Sequence, residues 1–339
     1  DSNSGRTEQL PFRTLQKAAN VVSPGDLVLV MNGEYATNKA PNVTDPTGSD
    51  PVVEIRRSGT AARWIGFRAY PGHQPVVYVK NWAGIRVRDA AYIDIQGFTV
   101  VGNLQELTYE YAYEQRTNLG NAFTGASGIT VQPQLHKGDT LMPHHVVIRN
   151  NVISDLPGAG IATAQADYVL IQDNTVTRTS YYSPYGNSGI SMWENKNWDT
   201  TTGPKMYVLN NTISQVDNLI PFYWGGGKIT DGHAIIVDEG NNTQRFPSRS
   251  PYAGRTVIRG NTAFDIGNRG AHVFASKNID IVGNTFYRTS QNPAHADASI
   301  GLINAQNINV SNNRLDYLTF EQFNSANIVS EGNVLYTGP

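Results

Sequence analysis

The sequence contains no cysteine, so neither a disulfide framework nor a thiolate metal or redox site can organise it. Apolar residues never run on long enough to span a bilayer, and no membrane partner is expected. Charge is scarce too: Asp, Glu, Lys and Arg make up 16% of the residues and sum to a net charge of -2. Such a balance offers no basic face for phosphates, which removes nucleic acid from the expected partners. What is plentiful is Asn, Gly, Ser and Thr, with aromatic residues at 10%. That composition suits a surface that meets neutral or hydroxyl-rich ligands. The opening string DSNSGRTEQ reads as a mature chain from which a secretion signal has been removed, and the expectation is a secreted or periplasmic monomer.

One asparagine recurs at the same place in a short motif. Asn151, Asn174, Asn211, Asn261, Asn284, Asn313 and Asn333 each close a segment with apolar residues at minus five, minus three and plus two, as in VLIQDNTV, NIDIVGNTF and NINVSNNRL. Apolar and polar residues alternate within each copy, the period of a strand rather than a helix. Intervals of 20 to 50 residues between the asparagines mark stacked units, the shortest close to one coil and the longer ones carrying inserted loops. The asparagine is expected at a tight bend, in a left-handed conformation it tolerates, with its amide bonded along the stack. An all-β, right-handed parallel β-helix follows, as one domain over 1–339, with insertions at 104–127, 178–205 and 217–255.

At the start, Phe12, Leu15, Ala18, Ala19 and Val22 form one apolar stripe, which predicts a short helix over 12–22. It is followed by a strand in LVLVMNGEY, with a turn at Asn32 and Gly33. Residues 10–35 thus read as a cap over the open end of the stack. The strings PFRTLQKAANVVSPGDLVLVMNGEY, SGTAARWIGFRAYPGHQPVV and YIDIQGFTVVGN resemble the cap and first coils of secreted β-helix carbohydrate-active enzymes. The likeness is to polysaccharide lyases of the chondroitinase B, alginate lyase and pectate lyase type, and it covers about residues 10–103. It implies a polysaccharide or oligosaccharide substrate and, in first place, cleavage of an acidic glycan by β-elimination.

Aligning the coils on their asparagines brings GIATAQ, GISMWE, AIIVDE, AHVFAS and IGLINA into one strand position. Ile161, Ile190, Ile235 and Ala271 then point inward, with Thr163, Met192, Val237 and Val273. Their neighbours form two outward columns: Ala162, Ser191, Ile236, His272 and Gly301, then Ala164, Trp193, Asp238, Phe274 and Ile303. Gln165, Glu194, Glu239 and Ala275 stand beside them at the turn. Aromatic faces stack on sugar rings and acids transfer protons, so this strip is the expected site.

Asp238, Glu239, Glu194, His272, His233 and Lys196 are its candidate catalytic groups. Trp193, Phe274, Trp224, Tyr223, Tyr182 and Arg269 are its candidate sugar contacts, several of them from the two long insertions. Elimination needs a base, for which Lys196, His233, His272 and Arg269 are available, and a means of neutralising a uronate. Ca2+ held by oxygen ligands from Asp231, Asp238 and Glu239, with Glu194 near, would serve, and no organic cofactor is called for. Hydrolysis or glycan rearrangement would need two carboxyl groups instead, with Glu194 and Asp238, or Asp231 and Asp238, as the pair. A non-catalytic sugar-binding solenoid is the third reading. The segment 104–127 is expected to pack one side of the stack, and Gly225, Gly226 and Gly227 to hinge a loop.

Overall fold

The computed structural model describes residues 2–339 apart from 38, 49, 135–140 and 246. Phe246 of the expected 217–255 insertion is therefore outside the described residues. Each turn of the chain adds one strand to each of three parallel sheets. The first sheet has ten strands, from Leu27–Val30 to Ala326–Glu331, and the second has ten, from Glu34–Tyr35 to Val334–Leu335. The third has nine, from Val53–Ile55 to Glu321–Phe323. Neighbours within a sheet are one coil apart in sequence, which defines a parallel β-helix.

The interior is built by the alternation the sequence displays. Ile129, Ile161, Ile190, Ile235, Ala271 and Ile300 are fully buried and successive in the third sheet. Thr163, Met192, Val237 and Val273 repeat this one step along. Like side chains stacked rung on rung fill the bore without voids, which close packing requires.

The cap helix is Leu15–Val21, shorter than the stripe suggests. The Thr14 side chain accepts the Lys17 N–H and starts it one turn late, and Val22 leaves it in an extended conformation, so Phe12 falls outside. Leu15, Ala19 and Val22 still join the core. The Gln16 side chain closes the edge of the third sheet, donating to Glu54 O at 3.1 Å and accepting from Glu54 N at 2.7 Å. Segment 104–127 forms a short 3-10 turn at Leu104–Glu106 and a helix at Tyr109–Glu114, and it buries Leu104, Leu107, Ala112 and Phe123. Among the described residues no helix is long and apolar enough to cross a membrane.

The asparagines do bond along the stack, but the left-handed bend is not theirs. Asn150, Asp173, Asn210, Gly260, Gly283, Asn312 and Gly332, each one residue earlier, carry the positive φ. This inverted residue turns the next side chain into the bore. There Asn211 Oδ1 accepts from Asn174 N at 2.9 Å and Nδ2 at 3.0 Å, while its own Nδ2 donates to Ile171 O at 3.0 Å and Asn261 Oδ1 at 3.0 Å. The pattern repeats from Asn151 to Asn333.

Asn211→Ala would leave the buried Asn174 N–H without an acceptor, while the Asn174 amide keeps Ile148 O and Gln172 O, and should cost about 2 kcal/mol. Denaturant unfolding of both chains checks it. A midpoint unchanged from the parent would remove the ladder from the list of stabilising contacts.

Candidate active site on the third sheet

The register of the third sheet sets the candidate side chains in the two outward columns expected. Ala162, Ser191, Ile236, His272 and Gly301 pair in succession, as do Ala164, Trp193, Asp238, Phe274 and Ile303. Asp238 thus has Trp193 on one side and Phe274 on the other. Ala162, Ala164 and Ser191 are small and half-buried.

The long intervals divide into loops on both edges of this sheet. Segments 180–189 and 217–234 precede the strands Ile190–Trp193 and Ile235–Asp238, and 194–203 and 239–254 follow them. On the leading edge Asn218 Nδ2 donates to Ser180 O and Ser183 O, and Asn292 Nδ2 to Asp217 Oδ1. The trailing edge is pinned by Lys205, fully buried, whose ammonium lies 2.6 Å from Asp167 Oδ2 and 3.2 Å from Asp199 Oδ1. Tyr252 donates its hydroxyl to Asp167 Oδ1 at 2.6 Å, and Asn197 Nδ2 reaches Pro251 O at 3.1 Å. Between these loops lies the sheet's outward face, the candidate trough.

Burial pushes the Asp238 carboxyl well above the usual carboxylate range, and the charges of Asp231, Glu239 and Glu194 act in the same direction. Asp231, buried in the loop that precedes this strand, is raised by burial to about 6, against the opposing hydrogen bond from Thr230. Gly186 lies against both Asp231 and Phe222, where a Cβ would be 2.6 Å from Asp231 Oδ2. Phe222 in turn meets Trp224, with ring centroids 5.6 Å apart, and Tyr223 and Tyr185 complete that knob at 5.0 and 6.1 Å from Trp224. Trp224 and Tyr223 are exposed on the Asp231 side of the trough.

Other candidates take different parts. Glu194 and Glu239 are left-handed corner residues, at φ 50° and 56°, and both are buried. Glu239 is engaged by its own loop, accepting from Thr243 N and Gln244 N at 2.8 and 3.0 Å, and Glu194 accepts from Gln165 Nε2 at 2.8 Å. These two act on Asp238 by charge, and their carboxylates belong to the corner. Arg269 is buried and bonded to Glu321 and Asn268, so it is part of the wall rather than a free sugar contact. Lys196 lies past the corner, its N–H on Ala166 O, and Tyr182 lies in the leading wall beside Tyr181. Neither stands in the outward columns.

His233 is buried beneath His272, the rings stacked at 4.3 Å, with His233 Nδ1 accepting from Arg269 N at 3.3 Å. Burial, and then the Arg269 charge, lowers His272 to about 3, so its imidazole is neutral. Gly301 makes room for it, since a Cβ there would lie 2.3 Å from His272 Nδ1. His295, from the 288–299 loop, is similarly lowered to about 4 and has a buried Nε2 without a partner. Its one signal in the sequence is the interval of 29 residues between Asn284 and Asn313, longer than a bare coil.

Among the described residues no three His, Asp or Glu side chains are gathered as a cation's ligands would be. Asp231, Asp238 and Glu239 are accordingly not such a group.

The family model described as the right handed beta helix region matches residues 79–315, well over half of the chain, and the chain belongs to that family. No curated protein sequence matches it. Among solved structures, the chain is similar to pectate lyase Pel9A, at 13% identity and TM-score 0.51 over 98% of this chain and 76% of that one. It is also similar to an alginate lyase from Paenibacillus sp. str. FPU-7, at 14% identity and TM-score 0.49 over 94% and 95% of the two chains. A third is a GH136 lacto-N-biosidase from Eubacterium ramulus, at 14% identity and TM-score 0.43 over 99% and 53%. These likenesses are of fold.

The raised Asp231 pKa has a stability consequence with a definite sign. A carboxyl whose folded pKa lies above its unfolded value contributes stability at low pH, which is lost as pH rises through about 6. Asp231→Asn, which cannot ionise, should therefore gain on the parent between pH 4 and pH 7, by up to about 3 kcal/mol for a shift of about two units. Unfolding midpoints of both chains across that range test it. A constant difference would mean that Asp231 does not titrate as described.

Proposed function

We propose that the trough binds a glycan chain and hydrolyses it, with Asp238 as general acid and Asp231 as general base. The single observation behind this reading is a carboxyl, Asp238, in register between Trp193 and Phe274, with a second, buried carboxyl, Asp231, in the loop that precedes its strand. Burial raises both, Asp231 to about 6 and Asp238 well above the usual carboxylate range, with neighbouring acids acting on Asp238 in the same direction. The carboxyl that favours its proton suits the acid role and its partner the base role. Phe274, in register on one side of Asp238, offers a face for a sugar ring, and Trp193 on the other side carries the Arg245 guanidinium 5.5 Å from its ring centroid. Asp238 gives its proton to the glycosidic oxygen as that bond breaks. Asp231 takes a proton from the water whose oxygen attacks the anomeric carbon.

Elimination is the second reading, and the neutral imidazole of His272 favours it. With its charge suppressed by burial and Arg269, His272 could remove a ring proton beside a uronate carboxyl. The N-terminal resemblance to polysaccharide lyases agrees with it. The two chemistries leave different products, since elimination creates an unsaturated sugar that absorbs in the ultraviolet and hydrolysis does not.

Digestion of a polysaccharide panel should release reducing ends without that absorbance. The rate should rise with pH through about 6 as Asp231 ionises. Asp238→Asn should lower the rate by about a thousandfold without lowering stability, since the amide cannot ionise where burial disfavours the charge. An unsaturated product whose formation is lost in His272→Ala and kept in Asp238→Asn would replace hydrolysis by elimination.

A further inference from the structure

The outward face of the third sheet carries a second charged group, four rungs towards the N-terminus from the acids. Continuing the His272 column upward, Ile236, Ser191, Ala162, Thr130 and Arg86 are successive partners, and Glu54 stands beyond Arg86. Arg88 lies in the neighbouring column beside Gln132. Three arginines here share one carboxylate. Glu54 has Arg56 Nε at 2.6 Å, Arg88 Nε at 3.0 Å and Arg86 Nη1 at 3.7 Å.

The arrangement is under-satisfied. Arg86 is only 5% exposed, and burial followed by repulsion from Arg88 pulls it down to about 10, against the pull of Glu54. Arg86 Nε has no hydrogen-bond partner. Arg88 Nε, though near Glu54, is not aimed at it, and Thr130 Oγ1 on the next rung is also buried and unpartnered. A buried donor left unmade is costly, and charged donors more so. Arg56 and Arg88 rise from the buried Arg86 towards solvent, with side chains 48% and 18% exposed. Carboxylates and sulfates match the planar fork of a guanidinium.

We propose that Arg56, Arg88 and Arg86 form an anion subsite of the trough, so that the glycan is acidic and lies with a carboxylate or sulfate group at the N-terminal coils. This deepens the proposed function and rests on the trough being where the glycan binds. Rungs repeat at about 4.8 Å, which places the subsite about 19 Å along the axis from Asp238. The three rungs between them present Thr130 and Gln132, then Ala162 and Ala164, then Ser191 and Trp193, none of them charged. The same spacing lets the glycan be acidic where it meets arginine while the linkage to be cut lies among carboxyls.

The test measures binding in an Asp238→Asn background, with polygalacturonate and alginate as carboxylate probes, chondroitin sulfate as a sulfate probe, and galactan and xylan as neutral controls. At least one acidic probe should bind, with an affinity that falls as salt rises. Arg88→Gln should weaken it about tenfold, and Arg56→Gln, which removes an exposed side chain and leaves the fold intact, should weaken it in the same direction. Which acidic probe responds identifies the carboxylate or the sulfate as the bound group. Binding confined to neutral glycans, equal binding by all variants, or no acidic probe bound would each overturn the subsite. Continued cleavage by Asp238→Asn would overturn the hydrolytic assignment and leave the arginine result standing, so the two failures are separable.

Discussion

Stacking each coil on the next buries a column of polar backbone at the corner between the first and second sheets, and the asparagine ladder is what satisfies it. One side chain per coil accepts from the coil before and donates to the coil after, so a slip by one residue in any coil would break bonds on both sides. Because side chains alternate with period two, the same slip would exchange the inward and outward faces of the third sheet. The ladder therefore fixes more than stability. It determines that Trp193, Asp238 and Phe274 share a column and that Ile235 and Val237 do not.

Loops can then be long on both edges of the sheet without disturbing its register. The two largest intervals between ladder asparagines, 37 and 50 residues, end on the same hydrogen bonds as the interval of 23. The surplus chain folds against itself, through Asn218 and Asn292 on one edge and through Lys205, Asp167 and Tyr252 on the other. A buried ammonium with two carboxylates is tolerated because Asp167 also accepts the Tyr252 hydroxyl and the Trp198 N–H. Stable walls allow Asp231 and Asp238 to be desolvated, and their pKa shifts follow from that desolvation.

The sheet and its outward columns were legible because period-two patterning is a local signal. The corners were not. Glu194 and Glu239 directly follow Trp193 and Asp238 and read as members of the same strip, yet a left-handed φ at each turns the carboxylate away to a partner that sequence adjacency does not reveal. The ladder asparagines show the same limit in reverse, since the inverted backbone belongs to the preceding residue. Arg269 was misread for a third reason: its partner Glu321 is two coils further on, a contact made by stacking alone. Arg86 and Arg88 sit in GIRVRDA, an ordinary alternating strand until Glu54 is placed on the rung before it.

Position along the solenoid axis also separates the electrostatic tasks of the trough. At physiological ionic strength the screening length is about 8 Å, less than half of the roughly 19 Å between the arginine group and Asp238. Guanidinium groups at that distance attract an anion locally but do little to ionise Asp238, whose protonation depends on its own burial and on carboxylates within its own and adjacent coils. A globular site that needed both a cationic anchor and a protonated carboxyl would have to hold them apart with intervening side chains. A solenoid does so by counting rungs, and the outward columns of the three rungs between hold only uncharged residues, from Thr130 and Gln132 to Ser191 and Trp193.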